Sequence, residues 1–143
     1  MMGRDKVLDM IYQNKIIAII RGVSQENIED VIQALLDGGV NMAEITFDHT
    51  DEIKREETLN SLRKIQKSFG ERICLGAGTV LTEKDVEDAY QAGADYMISP
   101  NTNEAVIRKT RELGMVSIPG AFSPSEIVMA YQAGADIVKL FPA

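Results

Sequence analysis

The sequence predicts an α/β fold in which buried parallel strands alternate with amphipathic helices. Six short apolar runs, rich in Ile, Val and Met, recur along the 143 residues, and helical patterns with polar first turns separate them. Gly93, Gly114 and Gly134 each close one of these helices, at intervals of 21 and 20 residues. Each interval accommodates one strand and one helix, so the chain repeats a strand–helix unit.

The apolar runs and the patterns between them place six strands and six helices. After a helix over about residues 4–14, the strands cover residues 16–20, 42–47, 72–77, 95–99, 115–118 and 136–141. In SQENIEDVIQALLDGG, Ser24 can cap the helix and Gly38–Gly39 end it. KREETLNSLRKIQK has the charged face of a solvated helix. Similar patterns begin at TEKD, TNEA and SPSE, and we expect Asn101 and Thr102 to cap the second of these.

Composition restricts the class of protein. The length allows one domain, and no apolar run is long enough for a membrane span or a signal peptide, so we expect a soluble, cytoplasmic chain. A net charge of −7 argues against a nucleic-acid partner. Cys74 is the single cysteine, which excludes an intramolecular disulfide, and in a buried strand it is expected to be a small apolar filler.

A duplicated hexapeptide draws attention to one lysine. YQAGAD occurs at residues 90–95 and again at 131–136, in each case where a helix ends and a strand begins. The strand after the first copy has Ile98, whereas the strand after the second has Lys139 at the same position. A charged residue therefore replaces an apolar one inside a strand that is expected to be buried.

Serial strand–helix units form either an open doubly wound sheet or a closed barrel, and both carry their chemistry at the carboxyl ends of the strands. By alternation, Lys139 shares a face with Ile137 and Phe141, and Glu44 shares one with Met42 and Thr46. The other residues expected at these ends are Arg21, Gly76–Thr79, Ser99–Pro100 and Pro119–Gly120.

A lysine and a carboxylate within one core point to function rather than stability. Burial of an ion costs several kcal/mol, and even a good buried pair is seldom a net stabiliser. Lys139 can serve as an amine nucleophile, because apolar surroundings favour the neutral, reactive form of an amine. The structural alternative is that Lys139 extends to solvent or pairs with Glu44. The sequence does not decide whether Glu44 is ionised.

Five segments resemble the family of 2-keto-3-deoxy-6-phosphogluconate and 4-hydroxy-2-oxoglutarate aldolases. They are AEITF (43–47), GAGTVL (76–81), GADYMISPN (93–101), IPGAFSPSE (118–126) and VKLFPA (138–143). This resemblance implies a (β/α)8 TIM barrel and a class I, Schiff-base aldolase that requires no cofactor and no metal. The implied reaction cleaves a 2-keto-3-deoxy-6-phospho sugar acid or 4-hydroxy-2-oxoglutarate into pyruvate and an aldehyde. The resemblance also implies a homotrimer.

The resemblance assigns roles to individual residues. It implies that Lys139 forms the Schiff base, that Glu44 transfers protons and that Thr79 binds the carboxylate of the pyruvyl group. Pro100 and Phe141 would form walls of the pyruvate pocket. The alternative from the residues alone is that Gly76–Thr79 forms a glycine turn that simply caps the next helix.

The chain departs from the family pattern after EIT, where Asp48 occupies the position of a usual arginine. We therefore expect Arg21, at the end of the first strand, to bind the substrate carboxylate instead; the alternative is that it is a surface arginine at a strand end. After the fourth strand the chain has SPN where the family has SPG. Asp48, His49, Asp51 and Glu52 could suggest a metal cluster, but acidic residues at a helix start are better explained by the helix dipole.

Two alternative interpretations also fit parts of the sequence. A receiver-like signalling module also has a parallel sheet and a late lysine, but it needs acidic residues at the end of the first strand, where this chain has Arg21. The second is a non-catalytic barrel fragment. Six strands cannot close a ring of eight, so we expect these residues to be a partial barrel that associates with other chains and, alone, lacks retro-aldol activity on a phosphorylated keto acid.

Overall fold

A computed structural model describes residues 1–143 and contains six α-helices and seven strands. The helices are α1 (Arg4–Asn14), α2 (Ile28–Asp37), α3 (Glu52–Phe69), α4 (Glu83–Gln91), α5 (Glu104–Glu112) and α6 (Pro124–Ala133). The strands are β1 (Ala18–Ile20), β2 (Met42–Thr46), β3 (Cys74–Gly78), β4 (Tyr96–Ile98), β5 (Val116–Ile118), β6 (Gly120–Ala121) and β7 (Lys139–Leu140). β1 to β5 form one parallel sheet in chain order, and β6 pairs with β7 in parallel. The predicted α/β alternation with a parallel sheet is confirmed.

The extra strand results from a proline. β5 ends at Ile118, and Pro119 has no N–H to donate to a sheet, so the chain resumes as β6 one residue later. The amide of Lys139 donates to the carbonyl of Pro119 at 2.9 Å, and that of Asp136 donates to Ser117 at 3.0 Å. The segment that leads into β7 therefore runs beside β5, and β7 itself pairs with β6. The predicted count of six strands was wrong, because the chain continues beyond Pro119 as the additional two-residue strand β6.

β2 to β5 are buried at every residue, so both of their faces are covered, which explains why these strands are mostly apolar. One face packs against the helices and carries the larger core, with side chains such as Ile45, Leu75 and Met97. The other face carries Met42, Tyr96 and other buried residues, and α1 packs against it through Val7. None of the helices has the length and apolar character needed to cross a lipid bilayer.

Helix starts differ from the sequence prediction in two places. The side chain of Ser24 caps nothing, because α2 begins four residues later and only the Ser24 carbonyl takes part, accepting the amide of Asn27 at 3.1 Å. The cap of α5 is Asn103 rather than Asn101–Thr102. Thr82 does cap α4, in a reciprocal capping box.

The two YQAGAD copies form the same joint, and their aspartates are part of it. Asp95 accepts the amide of Leu75 in β3 at 3.0 Å, and Asp136 accepts the amide of Ser117 in β5 at 2.9 Å. Asp95 also accepts the amide of Met2 at 2.6 Å. The repeated aspartate therefore joins each new strand to an earlier strand.

Candidate active site

Glu44 lies in the middle of β2, on the sheet face that also carries Met42 and Tyr96, and is only 3% exposed. The register of β2 and β3 places Gly76 opposite Glu44 and Gly78 opposite Thr46. A Cβ atom at Gly78 would lie 2.6 Å from Oε1 of Glu44. The carboxylate therefore occupies space that exists only because its neighbour is a glycine.

Burial controls the charge of this carboxyl group. Loss of hydration raises the pKa of Glu44, and this cause exceeds the opposing attraction of the Lys139 and Arg21 charges. The neutral acid is therefore favoured to a pH above the ordinary range of a glutamate. Burial therefore favours the neutral form of Glu44, whose charge state the sequence did not decide.

Lys139 is the first residue of β7 and pairs with Gly120 of β6. Its Nζ lies 4.6 Å from the centroid of the Phe141 ring, an arrangement typical of a cation–π contact. Lys139 is half-buried, not enclosed as predicted, since Leu140 and Phe141 are 61% and 39% exposed. The reason is that β7 has a hydrogen-bonded strand on one edge alone.

Arg21 and Thr79 line a common cavity of about 1070 Å³. Arg21 follows β1 and is exposed, whereas Thr79 follows β3 and has a positive φ of 55°. Thr46 lines the cavity as well, but Glu44 and Lys139 do not. The cavity thus includes Arg21 and Thr79 but neither the acid nor the amine, and it is the chemistry of Glu44 and Lys139 that marks the candidate site.

Pro100 is connected to Lys139 through Gly120. A Cβ atom at Gly120 would lie 2.3 Å from the Pro100 carbonyl oxygen, and Gly120 is the sheet partner of Lys139. Gly120 also accepts a hydrogen bond at 2.8 Å from the hydroxyl of Thr102. This contact gives Thr102 a role that differs from the predicted helix cap.

Sequence reasoning did not identify the supports of the site. Tyr96 is fully buried, its hydroxyl donates to the Ala43 carbonyl at 2.7 Å, and a Cβ atom at Gly76 would lie 2.1 Å from its ring. The sequence does contain an indication of this packing, the run GAG at residues 76–78. Two glycines on one face of a strand leave space for two large side chains from the adjacent strands. Tyr96 and Glu44 occupy that room.

The remaining candidate groups have structural explanations. Burial raises the pKa of Cys74 to about 12, so its thiol is inert, in accord with the predicted filler. Asp51 accepts the amide of Lys54 at 2.8 Å as the cap of α3. Asp48 accepts the amide of Thr50 at 2.9 Å. The chain contains no cluster of three His, Cys, Asp or Glu side chains able to hold a metal ion.

Comparison with known proteins places this arrangement among aldolases. A family model described as KDPG and KHG aldolase matches residues 7–143. A probable 2-dehydro-3-deoxy-6-phosphogalactonate aldolase from Rhizobium meliloti (strain 1021) is 39% identical over 92% of this chain and 59% of its own length. The 2-dehydro-3-deoxy-6-phosphogalactonate aldolase of Escherichia coli (strain K12) is 30% identical over 94% of this chain and 63% of its own.

Solved structures agree with the sequence relatives. A native KDPGal structure, 30% identical, has a TM-score of 0.79 and is matched over 89% of this chain and 59% of its own. A KDPG aldolase from Legionella pneumophila, 28% identical, was captured with pyruvate as a covalent carbinolamine; its TM-score is 0.78, with 89% of this chain and 58% of that chain covered. This chain therefore spans about 60% of the length of these relatives.

Proposed function

We propose, from the premise that this chain belongs to the KDPG and KHG aldolase family, that it acts as a class I aldolase. The substrate would be a 2-keto-3-deoxy-6-phospho sugar acid or 4-hydroxy-2-oxoglutarate. The products would be pyruvate and an aldehyde, either glyceraldehyde 3-phosphate or glyoxylate. The observation that carries the proposal concerns Glu44. Burial raises the pKa of this carboxyl group, and the positive charge of Lys139 opposes that increase.

In the proposed reaction, the Lys139 amine attacks C2 of the keto acid and forms a carbinolamine, which loses water to become an iminium ion. The C3–C4 bond then breaks, and its electrons move toward the iminium nitrogen to give an enamine. The C4 hydroxyl loses its proton as C4 becomes the aldehyde. Protonation at C3 and hydrolysis of the iminium release pyruvate and restore the amine.

Glu44 is the proposed proton carrier for these steps. A neutral carboxyl group can donate a proton to the departing carbinolamine hydroxyl, and the resulting carboxylate can accept the proton of the C4 hydroxyl. A pKa raised toward neutrality suits both directions of transfer, because donor and acceptor forms are then both accessible. Such general acid–base catalysis typically accelerates a reaction by about 10² to 10⁴.

Arg21 and Thr79 are the proposed partners of the substrate carboxylate. Arg21 and Thr79 line the same cavity, which supports this role. The family usually has an arginine at the position of Asp48, so another residue must supply the positive charge in this chain. Pro100 and Phe141 are proposed to contact the pyruvyl group. Among the possible substrates, the phosphogalactonate-derived acid has the support that two relatives are named for it.

Covalent trapping tests the proposed function. When the chain is incubated with pyruvate and borohydride, we expect one reduced pyruvyl group on Lys139 and none in Lys139→Ala. Lys6→Ala, which changes a lysine at the opposite end of the strands, should label like the unmodified chain. Absence of labelling, or labelling that persists in Lys139→Ala, would remove the nucleophile and favour a non-catalytic binding module.

We further propose that the protein acts as a homo-oligomer, a trimer by family resemblance, in the cytoplasm. Exposed apolar side chains on α6, among them Val128 and Tyr131 at 52% and 77% exposure, support self-association. One structural neighbour, 30% identical, is a cage designed by fusing symmetric oligomeric domains. Light scattering during size-exclusion chromatography should give three times the chain mass, and a strict monomer would contradict the proposal.

A further inference from the structure

The loop between β3 and α4, residues 79–82, is held at both ends by side chains from outside the loop. At its start, Nε2 of His49 lies 2.8 Å from the carbonyl oxygen of Thr79. A carbonyl oxygen can only accept, so the imidazole donates this bond. His49 belongs to the segment after β2, and its ring lies 5.6 Å from that of Phe47.

The far end of the loop is held by Asp85. One of its carboxylate oxygens accepts the amides of Leu81 and Thr82 at 3.1 and 3.0 Å. Its other oxygen accepts Nε and Nη2 of Arg55 at 3.1 and 2.9 Å. Arg55 is 8% exposed, and its guanidinium lies 5.4 Å from the Phe47 ring centroid. Both ends of the loop are thus attached to the β2–α3 segment.

These attachments have a purpose beyond stability. Thr79 has a φ of 55°, in the left-handed region that residues with a Cβ atom seldom adopt. Such a conformation persists only where the surroundings impose it, and it is concentrated at functional sites. A buried ion pair such as Arg55–Asp85 is seldom a net stabiliser, whereas its bonds to the Leu81 and Thr82 amides do fix the position of the loop.

We infer that His49 and Arg55, the latter through Asp85, are positioning residues that fix Thr79 for the carboxylate of the bound keto acid. Neither side chain needs to touch the substrate. This inference rests on the proposed function, since it concerns the residue assigned there to carboxylate binding. It predicts that loss of either attachment weakens keto-acid binding more than it slows iminium formation at saturation.

The decisive comparison is His49→Leu with His49→Gln. His49 is exposed, so neither change should unfold the protein. Leucine retains bulk but cannot donate, whereas the glutamine amide can donate to the Thr79 carbonyl. In borohydride trapping at varied pyruvate concentration, we expect the half-saturating concentration to rise about three- to tenfold in His49→Leu, as for one net hydrogen bond. His49→Gln should recover most of this loss, with the maximal trapping rate little changed in both.

Arg55→Lys provides a second, independent variant, because lysine retains the charge but not the paired bonds to Asp85. Its matched control is Asp88→Asn, which alters the other carboxylate bound to Arg55, at 2.6 Å, without touching the loop. Hydrogen exchange of the Leu81 and Thr82 amides should accelerate in Arg55→Lys and not in the control. Unchanged half-saturation in both His49→Leu and Arg55→Lys would overturn the inference.

The same measurements separate this inference from the proposed function. If the unmodified chain traps no pyruvate, the proposed function fails, and the assignment of Thr79 to a keto-acid carboxylate fails with it. If trapping occurs on Lys139 but is indifferent to both attachments, the proposed function stands and the positioning role is wrong. Faster amide exchange with unaltered half-saturation would likewise reduce His49 and Arg55 to structural residues.

Discussion

Glu44 combines features that conflict in an ordinary core residue. It is nearly inaccessible to solvent, no side-chain hydrogen bond stabilises its ionised form, and the positive charges of Lys139 and Arg21 compensate for burial only in part. A buried carboxyl group of this kind reduces stability whenever it is ionised. Its cost to the fold is consistent with the proposed role in proton transfer, because sites with a strongly perturbed pKa are concentrated among catalytic groups.

Replacing Glu44 by Gln should therefore stabilise the protein at neutral pH. The folded state raises the pKa of Glu44 above its ordinary value of 4.5, so the folded protein binds the proton more tightly than the unfolded chain. Unfolding free energy then falls as pH rises through the interval between these two pKa values. Glu44→Gln lacks this dependence, so urea unfolding should show an advantage at pH 8 that disappears near pH 4.

The same variant should lose about 10²- to 10⁴-fold in the rate of pyruvate trapping, the typical contribution of a general acid–base group. Glu56→Gln on the surface of α3 is the control, since that side chain is 49% exposed. A variant that is less stable than the unmodified chain at pH 8 would contradict the buried, neutral state of Glu44.

At the scale of elements, the pairing of β2 with β3 determines what fits into the site. Glu44 and Thr46 of β2 lie opposite Gly76 and Gly78 of β3, and these two glycines have no side chain. The strands could pair in the same register with alanines, but Glu44 and Tyr96 would then have no space. The glycines are thus required by neighbouring side chains rather than by their own backbone.

Gly78→Ala should destabilise the chain by about 1 to 3 kcal/mol, the usual cost of overpacking a core, and should displace the Glu44 carboxylate. Gly3→Ala is the matched control, because nothing lies within 4 Å of an added Cβ there. Urea unfolding measures the first effect, and the pyruvate trapping rate measures the second. Equal stability of the two variants would show that Glu44 does not depend on the space at Gly78.

Sequence patterns predicted the elements better than their ends. β2 and β3 are buried on both faces and are therefore mostly apolar, so they could be located without knowledge of the fold. Helix caps depend on where the first turn starts, which is why Ser24 was assigned a cap that it does not form. The acid and amine were recognisable as charges inside apolar runs. Their supports, above all Tyr96, depend on cross-strand packing that no single strand reveals.

At the scale of the whole molecule, Asp136 joins distant parts of the chain. It accepts hydrogen bonds from Arg4 of α1, from Arg111 at the end of α5 at 2.6 Å and from the amide of Ser117. Its side chain is only 3% exposed. The Asp136 carboxylate thus connects α1, which covers the sheet face carrying Met42 and Tyr96, with β5 and with the segment that leads into β7.

Asp136→Ala should destabilise the fold by about 2 to 4 kcal/mol, because two guanidinium groups and one strand amide lose their acceptor. Asp5→Ala is the control: Asp5 also contacts Arg4, at 3.3 Å, but its side chain is 94% exposed, so its loss should cost less than about 1 kcal/mol. Chemical denaturation of the two variants checks the difference. Comparable effects would show that α1 does not depend on Asp136.

The contact between Arg4 and Asp136 spans 132 positions in the chain, and this separation has a consequence for biosynthesis. At about 5 to 20 residues per second, α1 emerges from the ribosome on the order of ten seconds before its final partner. During that interval α1 lacks its bond to Asp136, although the apolar side chains that α1 covers, such as Met42 and Tyr96, are already present. We therefore expect the nascent chain to be a chaperone client until Asp136 has been synthesised.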